Sequence, residues 1–141
     1  MLVIPMWIHF VAMFAAAGFA LRVGERDERL AASGYMMINL LMFGYGSGDG
    51  TIPRGLEVAL FIVEAVGFTA LALIRRRSWL AIPCAVAWCE LATAALHQPL
   101  RLHAWTYGTV QLGWFYVTWT TITAASWRTW RRRTEAVAAG S

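Results

Sequence analysis

The sequence predicts an all-α, polytopic transmembrane helix bundle, and three observations predict it. Of the 141 residues, 59% are hydrophobic and only 14% charged, with a mean hydropathy of +0.53, far more apolar than an ordinary soluble domain. The apolar residues fall in runs close to the roughly 20 that a helix needs to cross a hydrocarbon core about 30 Å thick. All twelve basic residues are Arg, and they gather where those runs stop.

Residues 3–21 form the first run, closed by Arg22 and the charged stretch 22–29. The amino terminus carries no basic region, and its apolar stretch outruns a signal-peptide core, so it reads as a retained span. Residues 55–74 form a second clear run, stopped by Arg75, Arg76 and Arg77; residues 79–97 follow at once, which makes the two a tight antiparallel hairpin. Residues 106–127 form the last run, stopped by the Trp- and Arg-rich stretch 127–133. Together 1–133 make one transmembrane domain, and the tail 134–141 is expected to be disordered.

Segment 30–46 is the ambiguous one: Met-rich and apolar, but short for a span, holding Asn39 and running into the glycine-rich stretch 44–50. Either this segment crosses, making five spans, or it is an interfacial or re-entrant segment beside four. The positive-inside rule puts the Arg75–Arg77 turn and the 128–133 cluster in the cytoplasm, with the carboxyl terminus. If 30–46 spans, the 22–29 loop joins them there, and charge counting slightly favours that.

The same distribution sets the partners. A net charge of +4 carried at span ends orients a chain in a bilayer and does not point to nucleic acid. Abundant Ala, Gly and Arg without Lys suggests a GC-rich bacterial gene, hence a bacterial cytoplasmic membrane. Cys84 and Cys89 lie five apart in one apolar segment, unable to pair with each other and without zinc-ligand spacing, so both read as buried free thiols. Ala16, Gly18 and Gly67 permit close helix packing, within one chain or in a homodimer.

Ionisable groups inside a bilayer cost several kcal/mol unless paired or hydrated, so each is a functional candidate. Five fall within spans: His9, Glu57, Glu64, Glu90 and His97. The i, i+7 spacing puts Glu57 and Glu64 on one helix face, about 10 Å apart along the axis. Glu57 and His97 fall at the helix ends away from the Arg75 turn, with Glu64 and Glu90 deeper, so these groups share one half of the bundle. Asp49, His103 and Gln111 belong at its mouth. An acid so placed can stay protonated near neutral pH and donate its proton to a weakly basic substrate.

Each residue also has an ordinary reading. Glu57 suits a half-hydrated acid near a helix start, Glu64 and Glu90 could hydrogen-bond to Thr or Asn39, and His9 could be a satisfied core histidine. Most of the eight Trp suit interfacial belts, whereas Trp88, Trp114 and Trp119 lie further in and could offer ring faces to a cation. Met6, His9 and Met13 share a face that would suit copper(I), but Met at helical spacing is ordinarily packing. His9 with His97 could ligate haem, without any second in-span pair to support it. No metal and no cofactor is expected.

In order along the chain these residues resemble the emopamil-binding-protein, or EXPERA, family of membrane proteins, which includes sterol double-bond isomerases. Ile8-His9-Phe10-Val11 looks like the Ile-His-Leu-Val of their first core helix, and Tyr45-Gly46-Ser47-Gly48-Asp49 like the Tyr-x-x-Gly-Asp of the following loop. Glu57 stands where the next core helix opens with its acid. Glu90-Leu91 resembles a motif of the third helix, and Trp114-Phe115-Tyr116 an aromatic run of the fourth. Met13 occupies the isomerases' second acid position, and Thr121 and Ala124 replace an Asn and a Trp.

The resemblance implies four spans, with 30–46 as an interfacial or re-entrant segment and five as the alternative, and proton-driven chemistry on a sterol-like or isoprenoid lipid entering sideways from the bilayer. Protonation of a double bond gives a carbocation, and loss of a neighbouring proton shifts the double bond, or a second alkene traps the cation as a ring. His9 and Glu57 would be the proton-handling pair, with Glu64 or Glu90 the second acid. Trp88, Trp114, Trp119, Tyr45, Asp49 and Thr121 would line the substrate. Thus a cofactor-independent isomerase is the first expectation and an integral membrane terpenoid cyclase the second. The third is a non-catalytic lipid-binding or membrane-complex subunit with structural acids, and Met13 at an acid position favours it.

Overall fold

The computed structural model of the chain describes residues 6–46, 53–97 and 103–139. Among them every regular element is helical: α1 (Met6–Val23), α2 (Arg26–Gly46), α3 (Arg54–Arg75), a 3₁₀ turn (Ser78–Leu80), α4 (Ala81–Leu96) and α5 (Ala104–Ala139). Two segments, Arg54–Arg75 and Ser78–Leu96, are long and apolar enough to cross a membrane, and Trp7–Val23 is a shorter apolar helix.

Local chemistry sets the ends of the hairpin. Pro53 precedes α3, and its carbonyl accepts the backbone N–H groups of Leu56 and Glu57, where a residue without an N–H costs nothing. Arg76 closes α3 in the left-handed conformation (φ 50°), its N–H donating back to Ala72, the usual geometry of a helix C-terminus even without glycine. Pro83 sits in the first turn of α4, where no intrahelical donor is lost.

The helices form a closed ring in chain order, with α5 returning to α1 and α2 touching α5 across the middle. Residues 30–46 belong to one continuous helix packed into the bundle, with Tyr35 buried among Phe68, Phe115 and Trp119. The helix's exposed face mixes Arg26, Arg29 and Ser33 with Leu30, Met37 and Leu41, and its buried face mixes Asp27 and Glu28 with Ala31, Ala32 and Tyr35, which is why it reads as ambiguous in the sequence.

Three charged stretches meet at one end of the bundle. Arg75 and Arg77 reach Asp27 at 3.1 and 3.4 Å, and Arg77 reaches Glu25 at 2.9 Å. Thr129 donates to Glu28 at 3.2 Å, and Arg133 to the Val23 carbonyl at 3.2 Å. Gly24 makes the approach of this turn to α5 possible, because an added Cβ would lie 2.5 Å from the Ala20 carbonyl, 2.9 Å from Glu28 Cβ and 3.3 Å from Ser126 Oγ. Beyond this junction α5 runs on to Ala139. Residues 134–139, expected to be disordered, are its last turns, with Arg131 paired to Glu135 at 2.7 Å.

Large apolar side chains cover the outside: Val63 is 61%, Leu73 72% and Ile74 74% exposed on α3. Such a surface is stable against lipid rather than water. Cys89 also lies on this outer face, not buried as expected, while Cys84 is half-buried beside Thr69; both are free thiols.

Candidate functional site

Halfway along the bundle, α3 and α4 each turn one acid inward. Glu64 and Glu90 are both 3% exposed, and their carboxyl groups lie within hydrogen-bonding reach of each other. Carboxylates are acceptors only, so such a pair shares at least one proton. From α2, the Tyr35 hydroxyl donates to Glu90 Oε1 at 3.5 Å, the long end of hydrogen bonding. Trp119 of α5 packs on the Tyr35 ring at 5.3 Å, with Phe115 at 6.3 Å. Among the described residues Glu64 Oε1, Glu90 Oε2, Thr118 Oγ1 and Trp119 Nε1 have no partner. Four helices thus bring acids, a phenol and aromatic faces to one level, with hydrogen-bonding capacity to spare.

This layer opens sideways. A groove of 560 Å³ runs between α2 and α3, walled by Met37, Ile38, Leu41, Val63 and Phe68, with Tyr35 and Glu64 the polar groups at its floor. Gly34 and Gly67 line it as well, and a Cβ on either would meet nothing within 4 Å. Gly67 therefore widens a groove rather than allowing two helices to close. The size suits a lipid-like ligand.

A second polar group sits at the end away from the arginines. Glu57 accepts hydrogen bonds from Arg54 at 2.8 Å and from the Tyr107 hydroxyl. Gln111 donates to Tyr107 at 3.1 Å and, more weakly, to the Glu90 carbonyl at 3.4 Å. His97 stacks on Tyr107, ring centres 4.3 Å apart.

His9 and Glu57, the proton-handling pair that the resemblance implies, are not brought together. His9 is buried at the α1–α5 seam and hydrogen-bonded through Nδ1 to the Tyr116 hydroxyl. Its ring and that of His97 have different aromatic partners, which leaves no shared axial site for haem. Among the described residues no three His, Cys, Asp or Glu side chains gather where one ion could be held.

The aromatic candidates divide similarly. Trp119 stands beside the acid pair. Trp88 lies on the outside of the hairpin, donating to Thr69 at 3.0 Å, and Thr121 donates back to the Val117 carbonyl of its own helix at 2.8 Å. Neither lines the groove. Trp114 is half-buried on α5, its Nε1 without a partner. Tyr45 ends α2, its side chain outside the described residues, as is Asp49 altogether. Tyr35 is the participant that sequence reasoning missed; its only signal was a phenol inside a Met-rich apolar segment.

Chemically such a layer can supply a proton donor and a proton acceptor side by side, bordered by rings able to face a cation and reached from an apolar groove. The chain matches no known family model, no characterised protein and no solved structure.

Proposed function

We propose that this chain is a five-span integral membrane isomerase that shifts a carbon–carbon double bond of an isoprenoid or sterol-like lipid. Five spans are supported by the junction of 22–29 with the Arg75–Arg77 turn and the end of α5, because an interfacial α2 would leave that loop on the opposite side. The lengths agree: α1 and α2 rise about 27 and 32 Å. The Arg-rich end faces the cytoplasm.

The single observation that carries the chemistry is a buried carboxyl pair, one member of which, Glu64, lines an apolar groove between α2 and α3. The protonated carboxyl transfers its proton to one alkene carbon, leaving a cation on the other. Tyr35 and Trp119 face that cation. The partner carboxylate removes a proton from the adjacent carbon, the double bond re-forms one position along, and the pair again holds one proton. No external oxidant, reductant or net proton is consumed. Cyclisation follows from the same cation where a second alkene reaches it first.

The test is lipid turnover in D₂O by the purified protein in lipid extracted from its host. One deuterium should enter a shifted or cyclised product, and Glu64→Gln should accumulate the unshifted lipid without label. Identical, unlabelled lipids in both preparations would remove the enzyme and leave a lipid-binding subunit.

A further inference from the structure

The charges at the Arg-rich end are sorted by direction. In 25–29 the acids face inward or toward the hairpin turn: Glu25 and Asp27 pair with Arg77 and Arg75, and Glu28 accepts from Thr129. The arginines of the same stretch, Arg26 and Arg29, instead join Arg133 of α5 around a second pocket of 430 Å³.

Two of those guanidinium groups are fixed without being neutralised. Arg29 Nε donates to the Gly24 carbonyl at 2.9 Å, and Arg133 Nη1 to the Val23 carbonyl at 3.2 Å. A carbonyl holds the fork in place while leaving its charge and its other N–H donors available. Arg26 forms no ion pair among the described residues, and Glu25, which also lines the pocket, is engaged by Arg77. Three positive forks with no net counter-charge suit an anion bearing more than one negative charge and several acceptor oxygens, which is phosphate chemistry.

The pocket is not isolated. Leu30 lines both it and the α2–α3 groove. Along α2, Tyr35 lies five residues further on, about 8 Å along the axis. A head held by the arginines would let its tail pass Leu30 and bring an early double bond to the acid pair.

We infer that Arg26, Arg29 and Arg133 bind the phosphate headgroup of the substrate, which is a phosphorylated isoprenoid lipid. The inference deepens the isomerase reading and rests on it for the fate of the tail. It explains why two arginines are anchored on backbone carbonyls, an arrangement that mere orientation in a bilayer does not require.

Binding is measured by tryptophan fluorescence on the full chain in phosphate-free detergent, with farnesyl diphosphate, farnesol and inorganic diphosphate as probes. Farnesyl diphosphate should bind at least tenfold more tightly than farnesol. Arg26→Gln, at an exposed position, and Ser33→Asp, which sets a like charge in the pocket, should each erase most of that difference while leaving farnesol affinity unchanged. Equal affinity for the two lipids overturns the inference, as does inorganic diphosphate binding as tightly as farnesyl diphosphate, which would make this a free-anion site. Glu64→Gln separates the two readings: it should keep the preference for the phosphorylated lipid while losing deuterium incorporation. If the preference is present but wild-type protein never incorporates deuterium, the headgroup site stands and the isomerase falls.

Discussion

Two groups of buried acids lie about 12 Å apart along α2, and the bundle treats them in opposite ways. At the Arg-rich end Asp27 has two arginine partners and Glu28 a threonine. Halfway along, Glu64 and Glu90 have each other and the phenol of Tyr35, with no cation in ion-pair contact among the described residues. The first arrangement ties three chain segments together and gives Asp27 two cations, with Glu28 Oε2 left without a partner. The second costs the fold several kcal/mol of desolvation and leaves oxygens unpartnered. A bundle that needed only cohesion would gain nothing by placing this cation-free acid pair beside the α2–α3 groove.

The largest effect expected from this difference is on turnover. Replacing either member of the interior pair by its amide, Glu64→Gln or Glu90→Gln, should lower deuterium incorporation by about 100-fold or more, in the range by which a general acid or base accelerates proton transfer. Thermal stability should hold or rise, since an uncompensated acid is removed. Asp27→Asn should do the reverse, costing about 2 kcal/mol in a denaturation series by weakening charged hydrogen bonds while turnover per folded molecule stays the same. If Asp27→Asn abolishes turnover and Glu64→Gln merely destabilises, the roles assigned to the two groups are exchanged.

A middle-sized effect concerns the groove. Gly34→Leu and Gly67→Leu put a side chain into open space, since neither position has an atom within 4 Å of an added Cβ. Each should weaken lipid retention by about tenfold, measured by lipid extraction and mass spectrometry, with little change in melting temperature. A large fall in melting temperature would mean instead that these glycines allow tight packing against another surface.

Much of the fold is legible in the sequence because its signals are local. The hairpin follows from three consecutive arginines between apolar runs, and the depth of Glu64 and Glu90 from counting residues to that turn. What is not legible is rotation about each helix axis. Depth puts several polar groups in one half of the bundle, but only packing decides that Glu64 meets Glu90 while His9 meets Tyr116. The same reason hides α2: Asp27 and Tyr35 are satisfied by partners 48 to 55 residues away, so the segment looks too polar to be central until those partners are in place.

The last comparison sets the acid pair against the His9–Tyr116 seam, another polar contact between helices far apart in sequence. Tyr116→Phe removes one hydrogen bond and no bulk, so it should cost about 1 kcal/mol of stability. His9 is held by α1 and α5 and is absent from the groove lining, so turnover should change less than about threefold, far below the effect of losing a proton donor. His9→Ala would add a cavity to the same loss and be harder to interpret. The conservative tyrosine change therefore gives the sharper measurement. Should Tyr116→Phe depress deuterium incorporation as severely as Glu64→Gln, the proton would be handled at the α1–α5 seam, and the histidine, not the carboxyl pair, would be the reacting group.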